Sequence, residues 1–244
     1  FTSEVPEFAG QFVFSADANV VAKLGEVGSL LSDHPYKHSY PHCWRCKKAV
    51  IYRATEQWFV SMEKNELRRL TLEEIDRVQW VPPWGRDRIR GMMEKRPDWC
   101  ISRQRVWGVP IVALHCRACG EVVADPKLVT YVADRIAEHG ATLWFSGSNE
   151  ELLPPAYRCP KCASDDLRRE TDILDVWFDS GVSHAAVLEA RPELGSPADL
   201  YLEGSDQHRG WFHTSLLTSV GTRERAPYRA VLTHGFYVDA EGRK

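Results

Sequence analysis

The chain has 244 residues, of which 43% are hydrophobic. That is enough to bury one large core or two small ones and excludes general disorder. Lys and Arg number 31 against 34 Asp and Glu, a formal net charge of −3, which excludes nucleic-acid binding driven by overall charge, so any RNA contact must be local. No apolar run approaches the length of a transmembrane helix.

In chain order, Phe8, Phe12, Val13 and Phe14 predict a strand, and Ala18 to Leu31 a short amphipathic helix. Pro41 opens a first cysteine knuckle. Trp58-Phe59-Val60 predicts a short apolar strand or turn. Thr71-Leu72-Glu73-Glu74 is a capping box, which predicts a helix from Thr71 to near Val78. Pro82-Pro83 opens another, Trp84 to Glu94, closed by Pro97. Gly108 to His115 reads as an apolar strand leading into Cys116. Asp125-Pro126 is an N-cap followed by Pro at the first helical position. Leu128, Val132 and Ile136 then recur every four residues until Gly140 closes the helix. Strand 199–203, helix 206–220 and strand 229–233 outline an α/β body. Asp239 to Gly242 has turn chemistry. Arg86, Arg88, Arg90, Lys95, Arg96, Arg103 and Arg105 form the best candidate patch for a local RNA contact, although the spacing also suits a solvated helix face.

Six of the seven cysteines fall in three Cys-x-x-Cys pairs, which favour metal over a disulfide frame. Cys116/Cys119 and Cys159/Cys162 together supply the four thiolates of a structural zinc site, the alternatives being buried free thiols or a lost metal. Residues 116–170 therefore read as a zinc-pinned insertion. Cys43 and Cys46 offer only half a site, unless His34, His38 or His42 completes it. Cys100 reads as a small buried hydrophobe.

The most informative segment follows the apolar run Leu200-Tyr201-Leu202. Glu203-Gly204-Ser205-Asp206-Gln207-His208-Arg209 passes from a strand into a polar loop and then a helix that begins Trp211-Phe212. In parallel α/β sheets, ligands bind at that carboxyl edge. Glu203, Asp206 and Gln207 can accept hydrogen bonds from an ammonium group or a ribose, and Trp211 offers a flat apolar wall.

Tyr201 to Phe212 resembles the class I aminoacyl-tRNA synthetases, and among them the isoleucyl-tRNA synthetase family. So do Trp99 to Pro110, Asp175 to Gly181, His42 to Lys47, Ala54 to Phe59 and Leu232 to Lys244. The blocks are colinear and span nearly the whole chain. The resemblance implies an α/β fold: part of a Rossmann-like catalytic domain with a zinc-ribbon insertion. Residues 1–40 would be the exit of an editing insertion, 41–115 a connective region, 116–170 the zinc ribbon and 171–244 the second half of the catalytic domain.

The implied reaction activates isoleucine with ATP and Mg2+ to isoleucyl-adenylate, then transfers it to the 3′-end of isoleucine tRNA. Glu203, Gly204, Asp206, Gln207 and His234 match positions that hold the adenylate, and Trp177 and Trp211 match walls of the isoleucine side-chain pocket. The family is the standard illustration of weak discrimination, one methylene being worth about 1–3 kcal/mol, hence its editing domain. Zn2+ is the implied bound metal, with Cys43 and Cys46 matching half of a second site. The resemblance further implies a cytoplasmic, monomeric enzyme without membrane contact. The family's His-Ile-Gly-His motif is absent, and Lys244 would be the first lysine of its Lys-Met-Ser-Lys-Ser loop. The catalytic groups of those motifs thus lie outside the chain, which alone is expected to be inactive. The chain starts at Phe1, inside a recognisable segment, so the absence of a targeting sequence carries little weight. The alternatives are a valyl- or leucyl-type synthetase and a non-catalytic zinc-ribbon module that binds RNA.

Overall fold

The computed structural model describes residues 1–43 and 45–243. Trp44 of the first knuckle and Lys244 lie outside the described residues. The chain forms two compact units, Phe1–Thr55 and Glu56–Lys244.

In the first unit the expected strand at Phe8–Phe14 is replaced by two short 3-10 turns, Pro6–Phe8 and Val13–Ser15. No partner strand forms there among the described residues, and Phe12 is 67% exposed. Helix α1 (Asp17–Glu26) is shorter than the predicted Ala18 to Leu31. Gly28 turns into the left-handed region at φ 69°, and the N–H groups of Ser29 and Leu30 donate back to the Leu24 carbonyl. That closure caps the last turn.

The second unit begins with β1 (Phe59–Val60), α2 (Leu67–Arg77), β2 (Gln79–Val81), α3 (Trp84–Glu94), β3 (Trp99–Cys100) and β4 (Ser102–Arg103). Next come β5 (Leu114–Cys116), β6 (Val122–Val123), α4 (Pro126–His139), α5 (Thr142–Ser146), α6 (Asn149–Leu152) and β7 (Leu167–Arg169). It continues with β8 (Ile173–Leu174), α7 (Val176–Gly181), β9 (Ala198–Gly204), α8 (Trp211–Arg223) and β10 (Tyr228–His234).

Three of these strands form a parallel sheet in the order β2-β10-β9. Helices α2, α3 and α8 supply Ile75, Ile89, Met93, Phe212, Leu216 and Val220 to a core against Trp80, Tyr201 and Val231 of the sheet. On the strands' other face Val81, Leu200 and Leu202 stay exposed. Burying core side chains of this size stabilises by about 1.5–3 kcal/mol each. Buried Glu74 ties the layers together: its Oε2 accepts the Ala226 N–H at 2.7 Å.

A second core gathers around the cysteines. The three-stranded sheet β6-β5-β7 packs Leu114, Val123 and Leu167 against Leu128 and Val132 of α4, Trp144 and Leu152. Helix α4 matches its signals: the Asp125 carboxylate accepts the Lys127 N–H at 2.9 Å, and Gly140 follows the last turn at φ 84°. The predicted α3 is also observed over the expected residues.

Three further expectations need correction. Thr71 is not a cap. Helix α2 starts at Leu67, and the Thr71 hydroxyl, fully buried, donates to the Leu67 carbonyl at 2.7 Å. The earlier start is held by Arg68, whose guanidinium donates to the carbonyls of Met93 in the last turn of α3 and of Arg96 just past it. The strand predicted over Gly108 to His115 joins a ladder only from Leu114. Pro110 has no N–H to give, and the preceding stretch is tied bond by bond through Val109 and Ile111 to Leu174 and Asp172. The helix predicted from 206 begins at Trp211: Ser205–His208 is a 3-10 turn, and Gly210 (φ −109°, ψ −120°) breaks the path between them.

Candidate functional site

Cys116/Cys119 and Cys159/Cys162 converge, as the spacing predicts. Sγ of Cys116 lies 3.5 Å from that of Cys162, and Cys119 3.8 Å from Cys159. All four sulfurs fall within 4.8 Å of one another. These separations are too long for a disulfide. They approximate the edge of a thiolate tetrahedron around zinc, about 3.8 Å for metal–sulfur bonds of about 2.3 Å. Both knuckles share one backbone form. The first cysteine's carbonyl accepts the N–H four residues on, from Gly120 and Ala163, and both residues sit in the left-handed region.

The thiol chemistry also fits a cation. Burial opposes the Cys159 thiolate, but backbone N–H donors of Cys162 and Lys161 and neighbouring thiols outweigh it and lower the thiol to about 7. The backbone of Glu121 favours ionisation of Cys119, yet burial and the three surrounding thiols push it up to about 12. Four crowded thiols cannot all ionise unless a positive ion neutralises them.

Cys43 and Cys46 build the same knuckle. Lys47, at φ 60°, donates its N–H to the Cys43 carbonyl at 2.8 Å. Among the described residues no third ligand joins the pair. The candidate His42 is occupied elsewhere, its Nδ1 lying 2.9 Å from the Tyr40 carbonyl.

The second cluster forms where β9 and β10 end. Parallel register places Glu203 beside Thr233 and Gly204 beside His234. Gly204 leaves the space open there: a Cβ would lie 2.9 Å from Asp206 Oδ1 and 3.6 Å from the His234 ring. The missing side chain leaves room for that carboxylate and that imidazole beside the strand end. Glu203 is exposed at the same edge. The Gln207 Oε1 accepts the Trp211 N–H at 2.9 Å and caps α8. Its NH2 group is what it can offer a ligand.

Both tryptophans reach this edge. Trp211 stacks on Tyr201, with centroids 3.9 Å apart and planes 8° from parallel, and its Nε1 donates to Ser183 at 3.0 Å. Trp177 is 42% exposed and its ring stands over Gly210. A Cβ at Gly210 would lie 2.8 Å from that ring and 2.5 Å from the Gln207 oxygen. Glu203, Gly204, Asp206, Gln207, His234, Trp177 and Trp211 are thus gathered from three separate segments.

Residues 14–244 match the family model described as tRNA synthetases class I (I, L, M and V). The chain belongs to the class I tRNA synthetases. It is 67% identical over 237 residues to the isoleucine–tRNA ligase of Geobacter sulfurreducens, covering 97% of this chain and 26% of that protein. It is 61% identical over its full length to the isoleucine–tRNA ligase of Syntrophotalea carbinolica, again 26% of that protein. The chain therefore spans about a quarter of the length of these curated relatives. Among solved structures, the ternary complex of Agrobacterium radiobacter K84 agnB2 LeuRS-tRNA-LeuAMS matches 64% of this chain and 23% of that one, at 22% identity and a TM-score of 0.39. The expected class, an α/β synthetase catalytic region with a cysteine cluster, agrees with the family match and the fold. No helix among the described residues is long and apolar enough to cross a membrane.

Three positioning residues of this synthetase chain escaped the sequence reading. Buried Asp175 caps α7 through the Trp177 N–H at 3.3 Å. Its other oxygen accepts from Arg103 at 2.9 Å and Trp99 Nε1 at 3.3 Å. It therefore aims Trp177; an acid directly before an aromatic helix start was the available signal. Buried His208 anchors the Glu203–Trp211 loop among Trp80, Trp84 and Phe212, with its Nδ1 3.0 Å from the Ser205 carbonyl. Burial lowers its pKa, so it serves as a neutral anchor. Glu170 joins the cysteine-bearing region to Trp58, and no local pattern marked it.

Proposed function

We propose that this chain is part of an isoleucine–tRNA ligase, which activates isoleucine with ATP to isoleucyl-adenylate and transfers it to the 3′-end of isoleucine tRNA. The observation that carries the reading is the convergence of Glu203, Asp206, Gln207 and His234 with Trp177 and Trp211 at the ends of two parallel strands. The names of its relatives point the same way.

In this reading Glu203 faces the substrate ammonium and Asp206 the ribose. Gln207 donates its amide N–H to an adenylate oxygen. Trp177 and Trp211 wall the isoleucine side chain, and His234 borders the adenine. The site's contribution is positioning together with charge-assisted hydrogen bonds set before the substrate arrives. Residues 1–40 belong to the exit of an editing insertion, 41–115 to a connective region, 116–170 to a zinc ribbon and 171–244 to the second half of the catalytic domain. Cys116, Cys119, Cys159 and Cys162 hold Zn2+, which fixes the ribbon's fold, while Cys43 and Cys46 contribute half of a second site. ATP enters with Mg2+, and the whole enzyme is cytoplasmic and monomeric.

The test is amino-acid-dependent exchange of pyrophosphate into ATP by the intact gene product. Isoleucine should drive exchange, with valine less effective by about tenfold or more and leucine inactive. Exchange driven equally by valine or leucine would refute the substrate assignment.

A further inference from the structure

The structure sorts the cationic side chains that the sequence gathers between residues 86 and 105. Arg86 and Arg90 pair with Asp76, at 2.8 and 3.1 Å. Arg103 pairs with Asp175 at 2.9 Å. Among the described residues Arg88, Lys95 and Arg96 form no close ion pair, Asp175 acting on Arg96 only through its field, and they converge instead with Arg209, which arrives from the loop before α8. These four, with His213, line an open cleft of about 480 Å³, and no acidic side chain lines it.

Two features distinguish the cleft from an ordinary solvated helix face. The cations come from two distant segments, brought together where the end of α3 meets the start of α8. The wall also contains Arg96 Nε, a buried polar atom without a hydrogen-bond partner among the described residues, beside His213, a residue only 2% exposed. An orphan of this kind is costly in a native fold. The Arg96 guanidinium is held in advance, with its carbon 5.6 Å from the centre of the Trp99 ring. The Arg96 backbone is fixed by Arg68, which donates to its carbonyl at 2.8 Å. Burial, and after it the nearby Arg96, keeps the His213 imidazole neutral down to about 3. Uncompensated guanidinium and ammonium groups around one opening match the geometry and charge of a phosphate.

We propose that the cleft between α3 and the start of α8 binds a phosphate group. The inference does not rest on the isoleucyl-adenylate reading. A nucleic-acid backbone and a free polyphosphate both present this chemistry, and the two arms of the test separate them. Calorimetric titration of the full 244-residue chain with inorganic pyrophosphate is one arm. Fluorescence anisotropy with a labelled oligouridylate of about six nucleotides is the other.

Substituting Lys95→Gln and Arg209→Gln together removes two exposed cations and no core contact. The pair should weaken binding by about tenfold or more. Arg88→Gln, an independent second variant, should weaken it in the same direction. Arg86→Gln, paired with Asp76, should change it by less than about twofold. Circular dichroism confirms that each variant is folded. Pyrophosphate binding lost in the double variant assigns the cleft to a free polyphosphate. Oligonucleotide binding alone, with the slope of log K against log salt reduced by about 0.7 per cation removed, assigns it to a nucleic-acid backbone. Failure of the parent chain to bind either ligand, or undiminished binding by folded variants, overturns the proposal.

Discussion

Glu170→Gln is the most informative single change for the integrity of the cysteine-bearing region. The Glu170 carboxylate is buried and accepts four hydrogen bonds. Oε1 takes the N–H groups of Thr171 and Asp172 at 2.6 and 3.1 Å. Oε2 takes Trp58 Nε1 at 3.0 Å and lies 2.9 Å from His115 Nε2. Glutamine keeps the shape but has only one acceptor atom. Two donors would then face its NH2 group. Each lost hydrogen bond to a charged group costs about 1.5–3 kcal/mol. Trp58 and His115 are half-buried and can recover some water, so the lower end applies, about 3 kcal/mol in total. For a chain of this size the melting temperature should fall by about 6–12 °C.

The pH dependence has a definite sign. Burial opposes the Glu170 charge, but donation from Trp58, the Asp172 backbone and His115 outweighs it and holds the carboxyl at about 2, below its usual 4.5. A lowered carboxyl stabilises the fold fully above its unfolded pKa and loses that contribution as pH falls through the folded one. The gap between parent and Glu170→Gln should therefore be constant at neutral pH. It should narrow as pH drops from 4.5 toward about 2. Denaturant melts at successive pH values measure it. A melting temperature within about 1 °C of the parent's at pH 7, or a gap that stays constant into acid, would refute the account.

Metal analysis of the purified chain should find about one zinc equivalent. Cys159→Ser should abolish it and render residues 116–170 protease-sensitive before the α/β body; unchanged zinc would show the wrong ligands were chosen. In the intact gene product, on the proposed reading, Glu203→Ala should lower isoleucine-dependent exchange by about ten- to a hundredfold with the fold unchanged, and wild-type kinetics would remove Glu203 from the site. Gly210→Ala places a methyl within 2.8 Å of Trp177 and 2.5 Å of Gln207. It should raise the KM for isoleucine, whereas Gly195→Ala, which meets nothing within 4 Å, should leave it unchanged. Equal values for the two would show that Trp177 does not border the substrate.

Local chemistry fixed those elements whose signals stand close together in the chain. Asp125-Pro126 and Gly140 bracket α4, and Pro82-Pro83 opens α3, because caps and prolines act on the backbone beside them. Each Cys-x-x-Cys knuckle likewise closes on itself through a bond four residues long. The strand-loop at Glu203 to Trp211 was legible for the same reason. Tertiary contacts decided the rest. Arg68 reaches the end of α3 and moves the start of α2 forward to Leu67, overriding the Thr71 box. Gln207 and Gly210 delay α8, so Asp206 lies in a 3-10 turn before it. The meeting of Gly204 with His234, of Trp177 with Gly210, and of Arg209 with Arg88, Lys95 and Arg96 depends on packing between segments far apart in the chain. Spacing along the chain carries no information about such pairs; they are set when the sheet and its helices bury a common core.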